Sequence, residues 1–247
     1  AMTMIFSVSA FAASGFEFIF QLAGGAGATI LSKDAKDVYQ KGGLSADADV
    51  SAQIGYMFQV KEGFGISVLG ELGYAWDFYL TGIDGGTLSS NATTTGGVEY
   101  TVEGKDGLSL RQYYHSFKLG LLPKFNIGFG GRHGLAIGIG GGVKIPVAGN
   151  YGAIITTVGT STVKEELQYE QDINLKRQDI VDLYSPSVIG YMKVTFDYYL
   201  FFTDNIGMNF GLYLAGDFGP KFKDTKVKIN DSFDIGLQLG FRFGPKA

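Results

Sequence analysis

The chain has 247 residues, with 38 Gly, 20 Phe, 14 Tyr, one Trp, five Pro and no Cys, and a formal net charge of -4. The missing cysteine excludes a disulfide framework and a thiolate metal site, and the weakly acidic balance offers no basic field, so nucleic acid is not an expected partner. So many aromatic residues beside so few prolines exclude a low-complexity linker and place the glycines inside folded structure. No run of about 18 apolar residues occurs, so no transmembrane helix is predicted; barrel strands stay open, because they spread apolar residues over alternate positions.

Residues 1–13, AMTMIFSVSAFAA, are short and apolar and end in Ala10-Phe11-Ala12, as an export signal does, but lack its basic leader. They are read either as a signal-peptide remnant or as an apolar N-terminal extension, with 14–247 forming a single barrel domain. Period-2 alternation then marks the strands. Phe16, Phe18, Phe20 and Leu22 open the first, which runs towards Ile30; Val50, Ala52, Ile54, Tyr56, Phe58 and Val60 form the second. The third is the clearest: Phe64, Ile66, Val68, Gly70, Leu72, Tyr74, Trp76, Phe78 and Leu80 take one parity, and Gly65, Ser67, Glu71, Gly73 and Asp77 the other. A strand this long exceeds what a soluble sandwich needs and fits the height of a membrane.

Tyr113, His115, Phe117, Leu119 and Leu121 begin a stretch whose parity persists through Phe129 into Leu135, Ile137, Ile139, Val143 and Val147, so a turn must divide it into the fourth and fifth strands. Gly130-Gly131-Arg132-His133-Gly134 is the preferred turn, since glycine reaches positive φ without steric cost. Pro123-Lys124-Phe125-Asn126 is the rival, because proline interrupts a ladder. Val188 to Phe202, Ile206 to Leu214, and Phe233 to Phe243 complete eight strands. Short connections at 61–63, 130–134 and 203–205 alternate with long ones at about 31–47, 81–107, 149–186 and 219–231, which puts all tight turns at one end of a closed barrel and all long loops at the other.

The parity is inverted relative to a soluble, lipocalin-like barrel. Glu17, Gln21, Gln53, Gln59, Glu71, Asp77, Lys118, Lys124, Lys144, Lys193, Asp197, Asn209, Asp234, Gln238 and Arg242 share the minority parity. A Lys or Arg on the lipid side of a barrel costs about 2–4 kcal/mol at mid-depth, so these groups face the lumen and the apolar parity faces lipid. The expected fold is all-β, an eight-stranded antiparallel up-and-down transmembrane barrel.

In this the chain resembles the small eight-stranded outer-membrane barrels of the OmpA, OmpX and OmpW type. Ile235-Gly236-Leu237-Gln238-Leu239-Gly240-Phe241-Arg242-Phe243 is similar to their C-terminal assembly signal, although Gly244-Pro245-Lys246-Ala247 follows where that pattern usually stops. The resemblance implies the outer membrane of a Gram-negative-type cell, contact with its lipid and with lipopolysaccharide or an equivalent, and the barrel-assembly machinery as a partner during biogenesis.

An eight-stranded lumen is just wide enough for side chains to fill. The inward acids Glu17, Glu71, Asp77, Asp197, Asp217 and Asp234 nearly balance the inward bases Lys118, Lys124, Lys144, Lys193 and Arg242, so a salt-bridge network that plugs the barrel is expected. Glu71 and Lys118, and Glu17 and Arg242, are the predicted neighbours. Lys193 and Asp197 lie two steps apart with Asn209 opposite. The alternative is a narrow path for small solutes or, as in OmpW, for small hydrophobic compounds along Leu69, Tyr79, Tyr191, Tyr199 and Tyr213. Asp217 and Asp234 read as solvated rim acids rather than a cation pair, so no metal and no cofactor is expected. His115 and His133 stand without a nucleophile or acid at motif spacing, and no enzyme is predicted.

Tyr74, Trp76, Phe78, Tyr113 and Phe233 on one side, and Phe16, Phe58, Phe64, Phe129, Phe202 and Phe243 on the other, are the expected interfacial girdles. Residues 81–107, rich in Gly, Ser, Thr and Asn, are expected to form a mobile loop. Residues 149–186 form either a hairpin extension or a short helix, and an extracellular ligand is expected to meet these loops.

Overall fold

The computed structural model describes residues 14–36, 41–93, 99–159, 166–228 and 231–247; both readings of 1–13 fall outside them. In chain order the elements are β1 (Gly15–Ile30), α1 (Lys33–Lys36), β2 (Lys41–Lys61), β3 (Phe64–Thr93), β4 (Glu99–Leu121), β5 (Lys124–Phe129), β6 (His133–Gly159), β7 (Glu166–Lys176), α2 (Arg177–Leu183), β8 (Ile189–Phe201), β9 (Ile206–Phe218) and β10 (Asp231–Phe243). Each wall strand pairs antiparallel with its sequence neighbour, and β1 pairs with both β2 and β10, which closes the sheet. β4 and β5 are one wall strand and β7 lies outside the ring, paired only with β6, so the ring has eight strands.

The division between the fourth and fifth strands falls at Gly130 and Gly131, whose φ values of 60° and 71° are the left-handed conformation the turn requires. Pro123 interrupts the strand without turning it. Proline has no N–H to give, so the ladder skips one rung between Leu121 and Lys124, but the register is kept: Leu121 faces Gly141 and Lys124 faces Gly138 on β6. Leu122 N–H donates to Leu69 O at 2.8 Å and Pro123 O accepts from Ile139 N–H at 3.1 Å, which ties the break to both neighbours. A second proline, Pro146, sits where the β4–β6 register shifts between Ser116 and His115, a bulge of the kind that tolerates a missing donor.

Two of the expected long loops are largely strand. β3 continues to Thr93 and pairs with β4 from Glu99 onward, so 81–107 is largely paired strand standing on the barrel as a hairpin; residues 94–98 lie outside the described residues. β6 likewise continues to Gly159 and pairs with β7, and α2 follows, so 149–186 contains both the extension and the helix. The backbone groups of a protruding hairpin pair with each other, which needs no apolar core, and polar strands therefore escape a pattern search built on hydrophobic alternation. β2 also begins earlier than expected, at Lys41, with α1 filling part of the connection from β1.

The burial pattern alternates strictly along β10, with Phe233, Ile235, Leu237, Leu239, Phe241 and Phe243 outward and Asp234, Gln238 and Arg242 buried. Leu237, near the middle of the strand, is 68% exposed. The outward face of the other wall strands carries the same kind of residue, including Leu72, Phe117, Ile137, Phe196 and Leu212. Such a belt has no favourable state in water. Replacing Leu237 by Arg should lower the unfolding free energy of the protein in lipid vesicles by about 2–4 kcal/mol, read by equilibrium denaturation; a loss below 1 kcal/mol would mean that this face does not meet hydrocarbon.

Candidate functional site

The lumen is the chemically distinctive part of the molecule. Around the ring, in the order β1, β2, β3, β4/β5, β6, β8, β9, β10, strands four positions apart face each other across the interior. A contact between such strands therefore crosses the full width of the barrel.

At the short-turn end Arg242 Nε meets Glu17 Oε1 at 2.9 Å on the neighbouring strand, and its Nη1 donates to Asn126 Oδ1 at 3.2 Å on the opposite wall. Ser67 donates to Glu17 and Asn126 donates to Ser67 at 2.8 Å, closing a loop of bonds around the wall. The guanidinium lies 4.5 Å from the centre of the Tyr199 ring. Ile19, Leu69, Ala136, Tyr199 and Phe201 form an apolar layer beside this cluster. Lys124 Nζ then donates to Asp197 Oδ2 at 2.8 Å and to the Tyr199 hydroxyl at 3.3 Å, and Gln238 donates to the other oxygen of Asp197.

Mid-lumen, Lys118 Nζ lies 2.9 Å from Asp49 Oδ2 and 3.4 Å from Glu71 Oε1. Tyr191 donates to Glu71 Oε2 at 2.7 Å. Lys193 Nζ reaches across from β8 to within 3.8 Å of Asp49 on β2 and rests 4.7 Å from the Tyr213 ring centre. Glycines make room for these long side chains. A Cβ at Gly120 would collide with the Tyr191 hydroxyl, and one at Gly236 would collide with the Tyr213 ring.

Towards the long-loop rim Lys144 Nζ donates to Asp77 Oδ1 at 2.6 Å and to Asp217 Oδ2 at 2.8 Å. Tyr79 on β3 donates to Asp217 on β9 at 2.8 Å, again across the barrel, and Tyr213 donates to Asp47 at 2.6 Å. Asp234 accepts from Ser45 and Ser232, each at 2.5 Å. Above them Tyr79, Tyr114, Leu175, Ile180, Tyr184 and Ile189 form an apolar lid with Tyr151 and Phe222 against it. Arg177 at the start of α2 fixes this lid, donating to Pro146 O at 3.0 Å and to Ser187 O at 2.8 Å. Asp179 accepts from Lys176 N–H at 2.8 Å, capping the helix.

All nine residues read from the sequence as a lumen network, Glu17, Glu71, Asp77, Lys118, Lys124, Lys144, Lys193, Asp197 and Arg242, are buried. Glu71 meets Lys118 and Glu17 meets Arg242; Lys193 and Asp197 instead take separate partners, Asp49 and Lys124. Asp217 and Asp234 are buried rather than solvated at the rim. Asp47 and Asp49 were missed: they share the parity of Ser51 and Gln53, but Ala46 and Ala48 dilute the apolar side at the start of β2. With them the described lumen holds eight carboxylates against five cations, not six against five. The tyrosines expected along an apolar path spend their hydroxyls on lumen charges, Tyr79, Tyr191 and Tyr213 as donors to carboxylates and Tyr199 as acceptor from Lys124.

On the outer face Tyr74 hydrogen-bonds His115, whose ring stands edge-on to Tyr113 at 5.8 Å, and Trp76 stacks on Phe78 at 6.2 Å. At the other end His133 stacks between Phe129 and Tyr198 at 5.7 and 6.0 Å. Phe64 is half-exposed, and Phe202 and Phe243 are exposed, at the short-turn end. Truncating one partner of a buried pair strands the other. Lys124→Met should therefore cost about 3–5 kcal/mol in unfolding free energy, and Lys124→Met with Asp197→Leu should recover most of it; equal losses in the two variants, by equilibrium denaturation in vesicles, would show that the pair is not coupled.

No curated protein matches the chain. Among solved structures it is similar to neisserial surface protein A (NspA), at 9% identity over 93% of this chain and 99% of that one, with a TM-score of 0.35. The outer membrane protease OmpT from Escherichia coli is 8% identical over 94% and 97%, with a TM-score of 0.34. Ail, the attachment invasion locus protein of Yersinia pestis, is 11% identical over 93% and 99%, with a TM-score of 0.27. A family model described as "Domain of unknown function (DUF2715)" matches residues 1–173. The chain, an eight-stranded barrel with a charged lumen, belongs to the DUF2715 family.

Proposed function

We propose that the protein is an outer-membrane barrel with a closed lumen, acting as a structural and surface-interaction protein through the hairpins that stand on its long-loop end. The observation that carries this reading is the set of contacts spanning the full width of the barrel at three heights: Arg242 to Asn126, Lys193 to Asp49, and Tyr79 to Asp217. A solute passing down the axis has to break each in turn, and an uncompensated charge in so narrow a space costs several kcal/mol. The same contacts weigh against the small-solute and hydrophobic-compound path. Its tyrosines are bound to charged groups, and the apolar cluster seated by Arg177 packs at the long-loop end.

The surface role rests on what is left over. The β3–β4 and β6–β7 hairpins project beyond the aromatic residues of the upper girdle, and an extracellular ligand would meet them first. Lipid, with lipopolysaccharide or an equivalent, would lie against the girdles, and the last strand would engage the assembly machinery. A non-enzymatic role accords with the histidines, both packed against aromatic residues at the rims.

Purified barrel in a planar bilayer should give no steady openings, whereas steady openings altered by Glu71→Gln or Lys118→Met would establish a path. For the surface role, residues 154–170 can be replaced by Asn-Gly, a two-residue turn suited to joining Ala153 to Gln171, which pair in the hairpin. The trimmed protein should still fold, by heat-modifiable migration in gels, while vesicles bearing it lose adhesion to cultured cells or extracellular matrix. Equal adhesion by trimmed and intact protein would remove the hairpin from the interaction.

A further inference from the structure

The charges of the lumen are distributed unevenly along its axis. At the short-turn end Glu17 is matched by Arg242 and Asp197 by Lys124. At mid-height Asp49 and Glu71 are matched by Lys118 and Lys193. Towards the long-loop rim four carboxylates, Asp47, Asp77, Asp217 and Asp234, face the single ammonium of Lys144. The uncompensated negative charge of the described lumen is thus concentrated there, between the apolar layer around Ile19 and Tyr199 and the lid around Ile180 and Tyr184.

The free ligand atoms of this chamber are all oxygens. Asp47 Oδ1, Asp77 Oδ2 and Asp217 Oδ1 are buried acceptors without a hydrogen-bond partner. So are the hydroxyls of Thr81 and Ser116, side chains with almost no exposure. Ser116 faces Ala75 on β3 and Pro146 on β6, one inward step from Asp77 and from Lys144 along those strands. Asp77 and Asp217 share one ammonium and Asp47 has Tyr213 as its donor, which leaves net negative charge in a low-dielectric interior, where it is strongly disfavoured. Carboxylate and hydroxyl oxygens together are the donor set of hard cations.

We infer that the upper lumen is a binding site for a hard inorganic cation, entered from the long-loop side and held chiefly by Asp47, Asp77 and Asp217. No three carboxylates converge in ligating geometry among the described residues. The ion is therefore held by one or two of them at a time and keeps water in its other positions, as Mg2+ does more readily than Ca2+. Lys144 fixes the two inner carboxylates and leaves one oxygen of each turned to the ion. The cation stabilises the rim and with it the base of the hairpins. This inference rests on the closed lumen proposed above, since in an open pore the same acids would be bathed in mobile counter-ions; bilayer conductance reports on closure and cation binding on the site, so either can fail alone.

Tyr79 and Tyr213 donate to Asp217 and Asp47, which makes Tb3+ a suitable probe, because its emission is sensitised by a nearby phenol. Full-length protein refolded in micelles and stripped with chelator should give saturable Tb3+ emission on tyrosine excitation. Mg2+, Ca2+, Na+ and K+ are then compared as competitors, and the ion effective at the lowest concentration is the native class. Asp47→Asn with Asp217→Asn should weaken Tb3+ binding at least tenfold, and Asp172→Asn, in the exposed pair with Arg111, should leave it unchanged. If the double variant does not refold, Asp217→Asn alone should weaken binding at least threefold. The inference is overturned by emission that never saturates, by unchanged affinity in the lumen variants, or by a stripped protein whose melting temperature rises on acidification yet ignores every added cation.

Discussion

The constraint on which the structure depends is that a charge cannot face hydrocarbon. Once alternate positions of eight strands carry Leu, Ile, Val and Phe for the lipid, every polar residue between them is committed to an interior scarcely wider than the side chains themselves. Most of them must then find their partners among one another. Tyr191 on Glu71, Gln238 on Asp197 and Ser67 on Glu17 are products of that confinement. The glycines serve the same end, since Gly120 and Gly236 exist where a tyrosine must lie flat against the wall.

This arrangement makes the lumen a property of the closed ring rather than of any hairpin. Arg242 finds Asn126, and Lys193 finds Asp49, only when both halves of the barrel are present. A half-formed sheet would hold the same charges without their partners, so the polar interior favours completion over any open intermediate. Contacts of such wide sequence separation also imply slow closure, as non-local sheet topologies do in general.

The architecture was legible in the sequence because the bilayer demands a long, strict alternation, and Phe64 to Leu80 or Phe233 to Phe243 supply it without interruption. The turn at Gly130-Gly131 was legible from residue chemistry, whereas Pro123, read as the rival turn, only breaks the ladder because its neighbours keep the register on both sides. What lay hidden follows from where that demand ends. Above the membrane, strands such as β7 have no lipid face to fill, and Asp47 and Asp49 fall where alanines replace the larger apolar residues. Lumen partners were legible only between adjacent strands, as for Glu71 with Lys118. Which residues meet across the barrel depends on side-chain reach and on the tilt of the strands, which local spacing does not encode; the approach of Lys193 to Asp49, on strands four positions apart in the ring, is of this kind.

β6 runs without a break from His133 at the short-turn end to Gly159 in the projecting hairpin, with only a bulge at Pro146 along its course. Tension applied near the hairpin tip would travel down this one backbone into ladders with β4 and β8. Those ladders are loaded in shear, where many hydrogen bonds share the force instead of opening one after another. Arg177, bonded both to Pro146 and to Ser187, ties the hairpin's return path to the same rim. A load placed on the projecting hairpin would in this way be shared by the wall rather than carried by a single connection.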